Sequence, residues 1–307
     1  SQPGLAGENV FGVLPQPPSA RPQADTSSGP TGGRGAAGAI DGTRSIDPND
    51  KIGPGAGEAG RGRDDVALAY RINFENFGPG TEPTPPDEAI ATAPAQRVDV
   101  VDQLDARFDS DTYEFTSVGW GDFLLTAPAW ADSFFATQEM TFAGVTFDVE
   151  VAAFFNTATG EMRVSFQAID PGSGLPPDAI TGFLPPEDGT GRGKGFIEFL
   201  VEAEKGQVDG TEIRNVALIT FDGQEVIATN QINPIDPAAG TDPAKEALIT
   251  LDTLAPAVLD VRYEFDAATP QLVIALSEPL GTVPTATDLG LFNRLTNQAV
   301  ADAEVTV

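Results

Sequence analysis

Hydrophobic and polar residues alternate along most of the chain beyond residue 64. Val66, Leu68, Tyr70, Ile72 and Phe74 occupy every second position, which is typical of a strand with one buried face. The same period recurs in the segments 98–100, 140–151, 162–166, 197–201, 217–228, 261–265 and 272–276. No long segment has the 3.6-residue period of a helix, and the stretch 242–251 predicts one short helical turn at most.

Turn signals separate these predicted strands. Ala143-Gly144 lies between two alternating segments and predicts a hairpin, and Asp222-Gly223 is a strong signal for a two-residue hairpin turn. Short strands joined by turns rich in glycine and proline are typical of an antiparallel β-sandwich. We therefore predict an all-β protein.

We divide the chain into a predicted arm, 1–42, a sandwich domain, 43–252, and a partial second module, 253–307; a change in composition near residues 253–256 marks the last boundary. The arm is rich in glycine and proline and cannot bury enough apolar surface to order itself. We expect it to be a tether, or to dock its apolar cluster 10–14 on a sheet edge of its own body or of a neighbouring copy. The last module is shorter than the roughly 100 residues of such a sandwich, so we expect further chain or another chain to complete it.

The charge of the chain and the residue types that it lacks exclude several kinds of chemistry. The formal net charge is −29, and the chain contains no cysteine and no histidine. Disulfides, thiol nucleophiles, Ser-His-Asp triads and zinc sites built on His or Cys are therefore absent. A charge this negative argues against nucleic-acid binding and favours the attraction of cations. No run approaches 18 apolar residues, so we expect no membrane span.

Five motifs follow one another in an order that resembles a known family. They are residues 45–54 (SIDPNDKIGP), 68–76 (LAYRINFEN), 93–98 (APAQRV), 182–191 (GFLPPEDGTG) and 213–222 with 227–230 (IRNVALITFD, IATN). This series resembles the conserved-repeat domains, DUF11-like and DUF7619-like, of large secreted surface proteins of planctomycetes and cyanobacteria. The part after residue 252 resembles the start of a bacterial Ig-like module. The resemblance implies an immunoglobulin-like sandwich, an exported location and a multidomain parent, and it implies no catalytic residue.

Two kinds of site, a phosphate-binding loop and a glycosidase carboxylate pair, are considered and rejected. The glycine-rich loop 188–195 fails the phosphate-loop spacing, because Asp188 and Gly195 stand where glycine and Ser/Thr are needed; we interpret it as a flexible surface loop. The paired carboxylates are interpreted as solvated loop charges rather than as the catalytic pair of a glycosidase; they include Asp102, Asp105, Asp109 and Asp111, and Glu187 with Asp188.

Calcium binding is a more specific hypothesis than a phosphate loop or a glycosidase site, since calcium binds carboxylate, amide and carbonyl oxygens. Acidic and amide residues on a proline-stiffened turn, alternating acids in 109–111, and the stretch 236–243 each offer such oxygens, although Asp-Pro and Asp-Ser turns also cap backbone groups without a metal. The candidate ligands are Asp47, Asn49, Asp50, Asp109, Asp111 and Asp222.

Two other features have alternative interpretations. A lysine beside a buried acid can form an isopeptide bond with an asparagine, but nothing in the sequence places Lys51 in a core, so we predict it to be exposed. Trp120 and Trp130, with nearby phenylalanines, can fill the core or stack on sugars; core filling is the commoner role.

The sequence thus predicts a non-catalytic structural or adhesive module of an exported cell-surface or matrix protein. Its expected partners are other copies of itself, neighbouring Ig-like modules or extracellular polysaccharide, with assembly by strand exchange and stabilisation by calcium. The alternative is an ancillary carbohydrate-binding module of a secreted polysaccharide-degrading enzyme.

Overall fold

The computed structural model describes residues 49–54, 61–82, 90–233, 236–264, 266, 271–277, 292–293 and 298–299. The predicted arm and the candidate ligand Asp47 lie outside these residues. The chain divides into two compact units, Ser1–Thr253 and Leu254–Val307. Within the described parts, no helix has the length and apolar character needed to cross a membrane.

The described part of the first unit is built from short and medium strands, with two single-turn 3₁₀ helices at Pro237–Ala239 and Pro243–Lys245. The strands are β1 (Lys51–Ile52), β2 (Arg61–Gly62), β3 (Leu68–Glu75), β4 (Arg97–Gln103), β5 (Phe108–Trp120), β6 (Phe123–Thr126), β7 (Ser133–Phe142), β8 (Val145–Asn156), β9 (Glu161–Ile169), β10 (Lys194–Ala203), β11 (Glu212–Asn215), β12 (Ala217–Phe221), β13 (Ile227–Ala228) and β14 (Ala247–Leu251).

These strands form two large antiparallel sheets and one small sheet. The five-stranded sheet has the order β1-β3-β10-β5-β6, and the six-stranded sheet has the order β13-β12-β4-β9-β8-β7. The small sheet, β11-β14-β2, contains a parallel pairing between β14 and β2. The all-β antiparallel sandwich predicted from the sequence is confirmed.

Alternation along the strands creates one continuous core between the two large sheets. The buried positions of β3 are those predicted, with Tyr70, Ile72 and Phe74 almost without exposure. Tyr113 on β5 stacks on Phe155 on β8, with ring centroids 3.8 Å apart, and so joins the two sheets. Stacked and edge-on aromatic pairs of this kind add specific geometry to a core that apolar burial already stabilises.

The two predicted turns differ in how they close. Ala143 and Gly144 both have positive φ, 50° and 85°, and connect β7 directly to β8. Asp222 and Gly223 also have positive φ, 48° and 70°. There, however, pairing between β12 and β13 resumes only at Ile219 with Ile227, so the loop is longer than the predicted two-residue hairpin.

The second unit contains an antiparallel hairpin, β15 (Val258–Glu264) with β16 (Gln271–Leu276). A shorter pair follows, β17 (Phe292–Asn293) with β18 (Gln298–Ala299). The strands predicted from alternation in 261–265 and 272–276 correspond to β15 and β16.

Candidate functional site

Lys51 lies in the core rather than on the surface. It pairs with Ile72 across β1 and β3, and its side chain points between the sheets with no exposed area. Its Nζ atom donates a hydrogen bond to Oδ2 of Asp102. The prediction of an exposed lysine is therefore wrong, because β1 is added to the edge of the five-stranded sheet and turns Lys51 inward.

Asp102 is the second polar residue in this core. It lies on β4 in phase with Val98 and Val100, all three of them fully buried. The interpretation of Asp102 as a solvated loop charge is wrong, since it occupies an inward position of a central strand. Its Cα partners are Ala217 on β12 and Met162 on β9, so apolar neighbours flank it on both sides.

Asn215 completes a cluster of three buried polar residues. Ile213, Asn215, Ala217 and Ile219 form one inward-facing row along β11 and β12, and Asn215 is its polar member. The Asn215 amide lies close enough to Asp102 to lower the pKa of that carboxyl. Neither its Nδ2 nor its Oδ1 atom has a hydrogen-bond partner of good geometry among the described residues.

Burial dominates the electrostatics of this cluster, which we call the Lys51–Asp102–Asn215 cluster. Loss of water lowers the pKa of Lys51 and raises the pKa of Asp102, and their mutual attraction opposes both changes. The rings of Tyr70 and Phe199 each lie 5.1 Å from the Lys51 Nζ. Both shifts are towards the neutral amine and the neutral acid, which are a nucleophile and a proton donor.

Glu187 is another buried acid that the sequence does not reveal. Its Oε1 accepts hydrogen bonds from the backbone N–H groups of Gly189 and Gly191 at 2.7 and 2.8 Å, and its Oε2 accepts one from Gly193 at 2.9 Å. The glycine-rich loop is thus wrapped around the protein's own carboxylate. The interpretation of Glu187 as a solvated charge is wrong, and the loop after it is a structured one.

The predicted calcium ligands lie at separate places. Asp50 Oδ1 accepts a hydrogen bond from Asn73, and buried Asn49 accepts one from the backbone of Glu75. Asp222 Oδ1 accepts bonds from the backbone N–H groups of two residues, 96 and 97. These oxygens therefore already serve as turn and strand-end acceptors.

Asp109 and Asp111 come closer to the predicted arrangement. Asp109 accepts a hydrogen bond from the Asp111 backbone, and both line a polar cleft of about 360 Å³ together with Asp105 and Glu204. Within the part of the chain that the structure describes, no group of three or more acidic residues is placed to hold a metal ion. The calcium ligand set stays a prediction.

The two tryptophans have different environments. Trp120 is buried and packs against Phe123, Phe166 and Phe183, as the core interpretation predicts. Trp130 is 43% exposed and has a positive φ of 64°. Core filling therefore accounts for Trp120 alone.

Comparison with known proteins gives distant structural similarity. No protein-family model and no curated protein matches the chain. The chain is similar to domains D2 and D3 of the major pilin SpaD from Corynebacterium diphtheriae, with 18% identity and a TM-score of 0.31 over 59% of this chain and 48% of that chain. It spans about half the length of that structure.

Two collagen-binding domains are similar at the same level. The collagen-binding subdomain of the Enterococcus faecalis surface protein ACE has 8% identity and a TM-score of 0.30, covering 68% of this chain and 99% of that chain. The collagen-binding domain of a Staphylococcus aureus adhesin has 11% identity and a TM-score of 0.29, covering 69% and 100%. Similarity this distant does not identify a function, which has to come from the chain's own residues.

Proposed function

We propose that this chain is a non-catalytic structural and adhesive module of an exported cell-surface or extracellular-matrix protein, and that it associates with other copies of itself. The resemblance of its motif series to conserved-repeat domains of secreted proteins supports the location. The observation that carries the adhesive role is a pair of exposed aromatic side chains on the outer face of the six-stranded sheet.

This aromatic patch consists of Phe135 on β7 and Phe154 on β8, which are 57% and 49% exposed. Phe135 pairs with Ala152 and Ser133 pairs with Phe154, so the two aromatic residues are diagonal neighbours on one face. Diagonal side chains on a sheet are within reach of each other. Contiguous exposed apolar surface of this kind is typical of interaction sites.

The position of the patch favours a second copy as the partner. Among the described strands, ten-residue β7 has a neighbour on one side only, and such an edge is a template for another strand. Strand exchange at β7 would place an incoming strand directly beside Phe135. The net charge of −29 opposes close approach of two copies, and calcium bound to the acidic surface would reduce that repulsion.

Sedimentation velocity of the full chain tests this proposal, with Phe135→Ser/Phe154→Ser as the variant. We expect self-association to weaken at least about tenfold in the double variant. Ile180→Ser is the matched control, because Ile180 is a more exposed apolar residue on a turn between other strands, and it should leave association unchanged.

Two results would contradict the proposal. An intact chain that stays monomeric at about 100 µM would refute self-association, since that concentration detects even weak contacts. Loss of binding to immobilised extracellular polysaccharide in the double variant, without any change in self-association, would favour the carbohydrate-binding alternative, with the aromatic patch as the sugar-binding surface.

A further inference from the structure

Three polar residues occupy positions where a sandwich core normally holds apolar ones. Lys51, Asp102 and Asn215 are each at most 4% exposed, and each lies on the inward face of its strand. Buried polar groups are normally paired. Here the Asn215 amide and the second carboxylate oxygen of Asp102 have no hydrogen-bond partner among the described residues.

We propose that the side chains of Lys51 and Asn215 join in an intramolecular isopeptide bond, with Asp102 as the acid–base group of the reaction. The proposal concerns the interior of the sandwich and goes beyond the adhesive function, which depends on the outer face of β7 and β8. It assigns a covalent modification to the unpaired Asn215 amide.

The strand arrangement brings the three residues together from different sheets. Lys51 on β1 contacts Asp102 on β4 directly, which joins the five-stranded sheet to the six-stranded one. Asn215 lies two residues before Ala217, the Cα partner of Asp102, and on the same inward row. Asp102 thus stands beside both the amine and the amide.

A second contact brings β1 close to the strand pair that carries Asn215. Asn215 pairs with Ala247 of β14. A Cβ built on Gly53, two residues after Lys51, would lie 3.5 Å from the Ala247 Cβ and 3.4 Å from the Tyr70 ring. The chain that follows Lys51 therefore packs on the immediate neighbour of Asn215.

The surroundings favour the reactive forms of both groups. Burial lowers the pKa of Lys51 and raises the pKa of Asp102, which reduces the cost of moving a proton from the ammonium to the carboxylate. The Tyr70 and Phe199 rings against Nζ keep water away, and a desolvated lysine is an activated nucleophile.

The reaction balances without any co-reactant. The neutral Nζ of Lys51 attacks Cγ of Asn215, while the carboxylic acid of Asp102 donates its proton to the amide. Asp102 then takes a proton from Nζ and passes it to Nδ2. As the Cγ–Nδ2 bond breaks, the carbonyl re-forms and its oxygen returns to Asp102 the proton that it had received, while the Cγ–Nζ bond remains. Amine and carboxamide thus give a secondary amide and one molecule of ammonia, with the Asp102 acid regenerated.

Intact-mass measurement of the folded full-length chain tests the proposal. We expect a mass lower than that of the sequence by one ammonia, about 17 Da, and no such loss in Lys51→Arg, Asp102→Ala or Asn215→Ala. Asn230→Ala is the matched control, because Asn230 is also buried but its amide faces Glu246; this variant should retain the loss.

Tryptic mapping of the wild-type chain, without any substitution, keeps the test independent of whether the variants fold. The expected product is one branched peptide that joins residues 45–61, uncleaved at Lys51, to residues 215–245. The full sequence mass in the folded chain would overturn the proposal. A loss of ammonia confined to a linear peptide would do the same, because it would indicate a local succinimide instead. The patch variant Phe135→Ser/Phe154→Ser should keep the branched peptide, so failure of the adhesive proposal is seen separately.

Discussion

Replacing Glu187 by glutamine should destabilise the sandwich much more than the same change on its surface. The Glu187 carboxylate is fully buried and accepts three backbone N–H groups, from Gly189, Gly191 and Gly193. A glutamine of the same shape has one acceptor oxygen and one NH₂ group. With its oxygen on the Gly189–Gly191 side, the NH₂ group would face the buried N–H of Gly193.

The expected loss follows from what glutamine cannot do at this position. One charge-assisted hydrogen bond disappears, worth about 1.5–3 kcal/mol, and one buried donor is left unpaired at about 1–3 kcal/mol. The neutral side chain is easier to bury than a carboxylate, which offsets part of this loss. We therefore expect Glu187→Gln to lower the free energy of unfolding by about 2–4 kcal/mol, a large share of a typical 5–15 kcal/mol.

Urea denaturation of the wild type and of the variant measures this difference directly. The midpoint should fall while the m-value stays constant, because the folded state buries the same surface. Glu139→Gln is the control, since Glu139 is an exposed residue on β7 and surface changes have small effects. If both substitutions shift the midpoint equally, the loop after Glu187 does not depend on the carboxylate that it surrounds.

Three further predictions concern the core, the pH dependence and cations. Phe74→Ala should cost about 3–5 kcal/mol in urea denaturation, whereas Phe135→Ala on the outer face should cost well under 1 kcal/mol; similar losses would mean that the inward and outward faces are misassigned. Burial, the main cause, raises the pKa of Glu75 above its usual 4.5, so this group contributes stability below pH 4.5 that is lost as pH rises through its folded value. Glu75→Gln should therefore gain stability relative to the wild type between pH 4 and 7 in unfolding titrations, and a constant difference would contradict this. Millimolar calcium should raise the melting temperature more than magnesium at equal ionic strength, while equal shifts would reduce the effect to screening.

The fold could be predicted because its main strands each bury one face and expose the other. In β3 every second residue from Leu68 to Phe74 is buried, and this period is visible in the sequence without any knowledge of the partners. The Ala143-Gly144 turn was equally predictable, since both residues adopt the positive φ that such a hairpin turn requires.

The Lys51–Asp102–Asn215 cluster could be predicted only in part. Asp102 is in phase with Val98 and Val100, and this was the available signal that it points inward. Lys51 lies on a two-residue strand, which is too short to show a period. Asn215 precedes a segment in which both phases are apolar, so its inward direction depends on the pairing of β11 with β14, a tertiary contact.

Glu187 illustrates a different limit of sequence analysis. A glutamate followed by a loop of glycine, threonine and arginine has the composition of a solvated turn, and composition predicts exposure. What reverses the prediction is the convergence of three backbone N–H groups on one carboxylate, which satisfies the charge that burial removes from water. Backbone donors carry no sequence signature of their own.

The burial of the Lys51–Asp102–Asn215 cluster is best explained by a reaction between Lys51 and Asn215. A buried ion pair loses hydration that its attraction rarely restores in full, and apolar residues of similar volume would stabilise a core at least as well. A bond between Lys51 and Asn215 would instead close a loop of about 165 residues, which by the chain-entropy relation for cross-links is worth about 5 kcal/mol. When the chain is pulled from its ends, the bond would also prevent residues 52–214 from extending, which removes about 570 Å of chain from the length that force can release. A chain without cysteine would thus gain the effect of a disulfide from a link that no reductant can open.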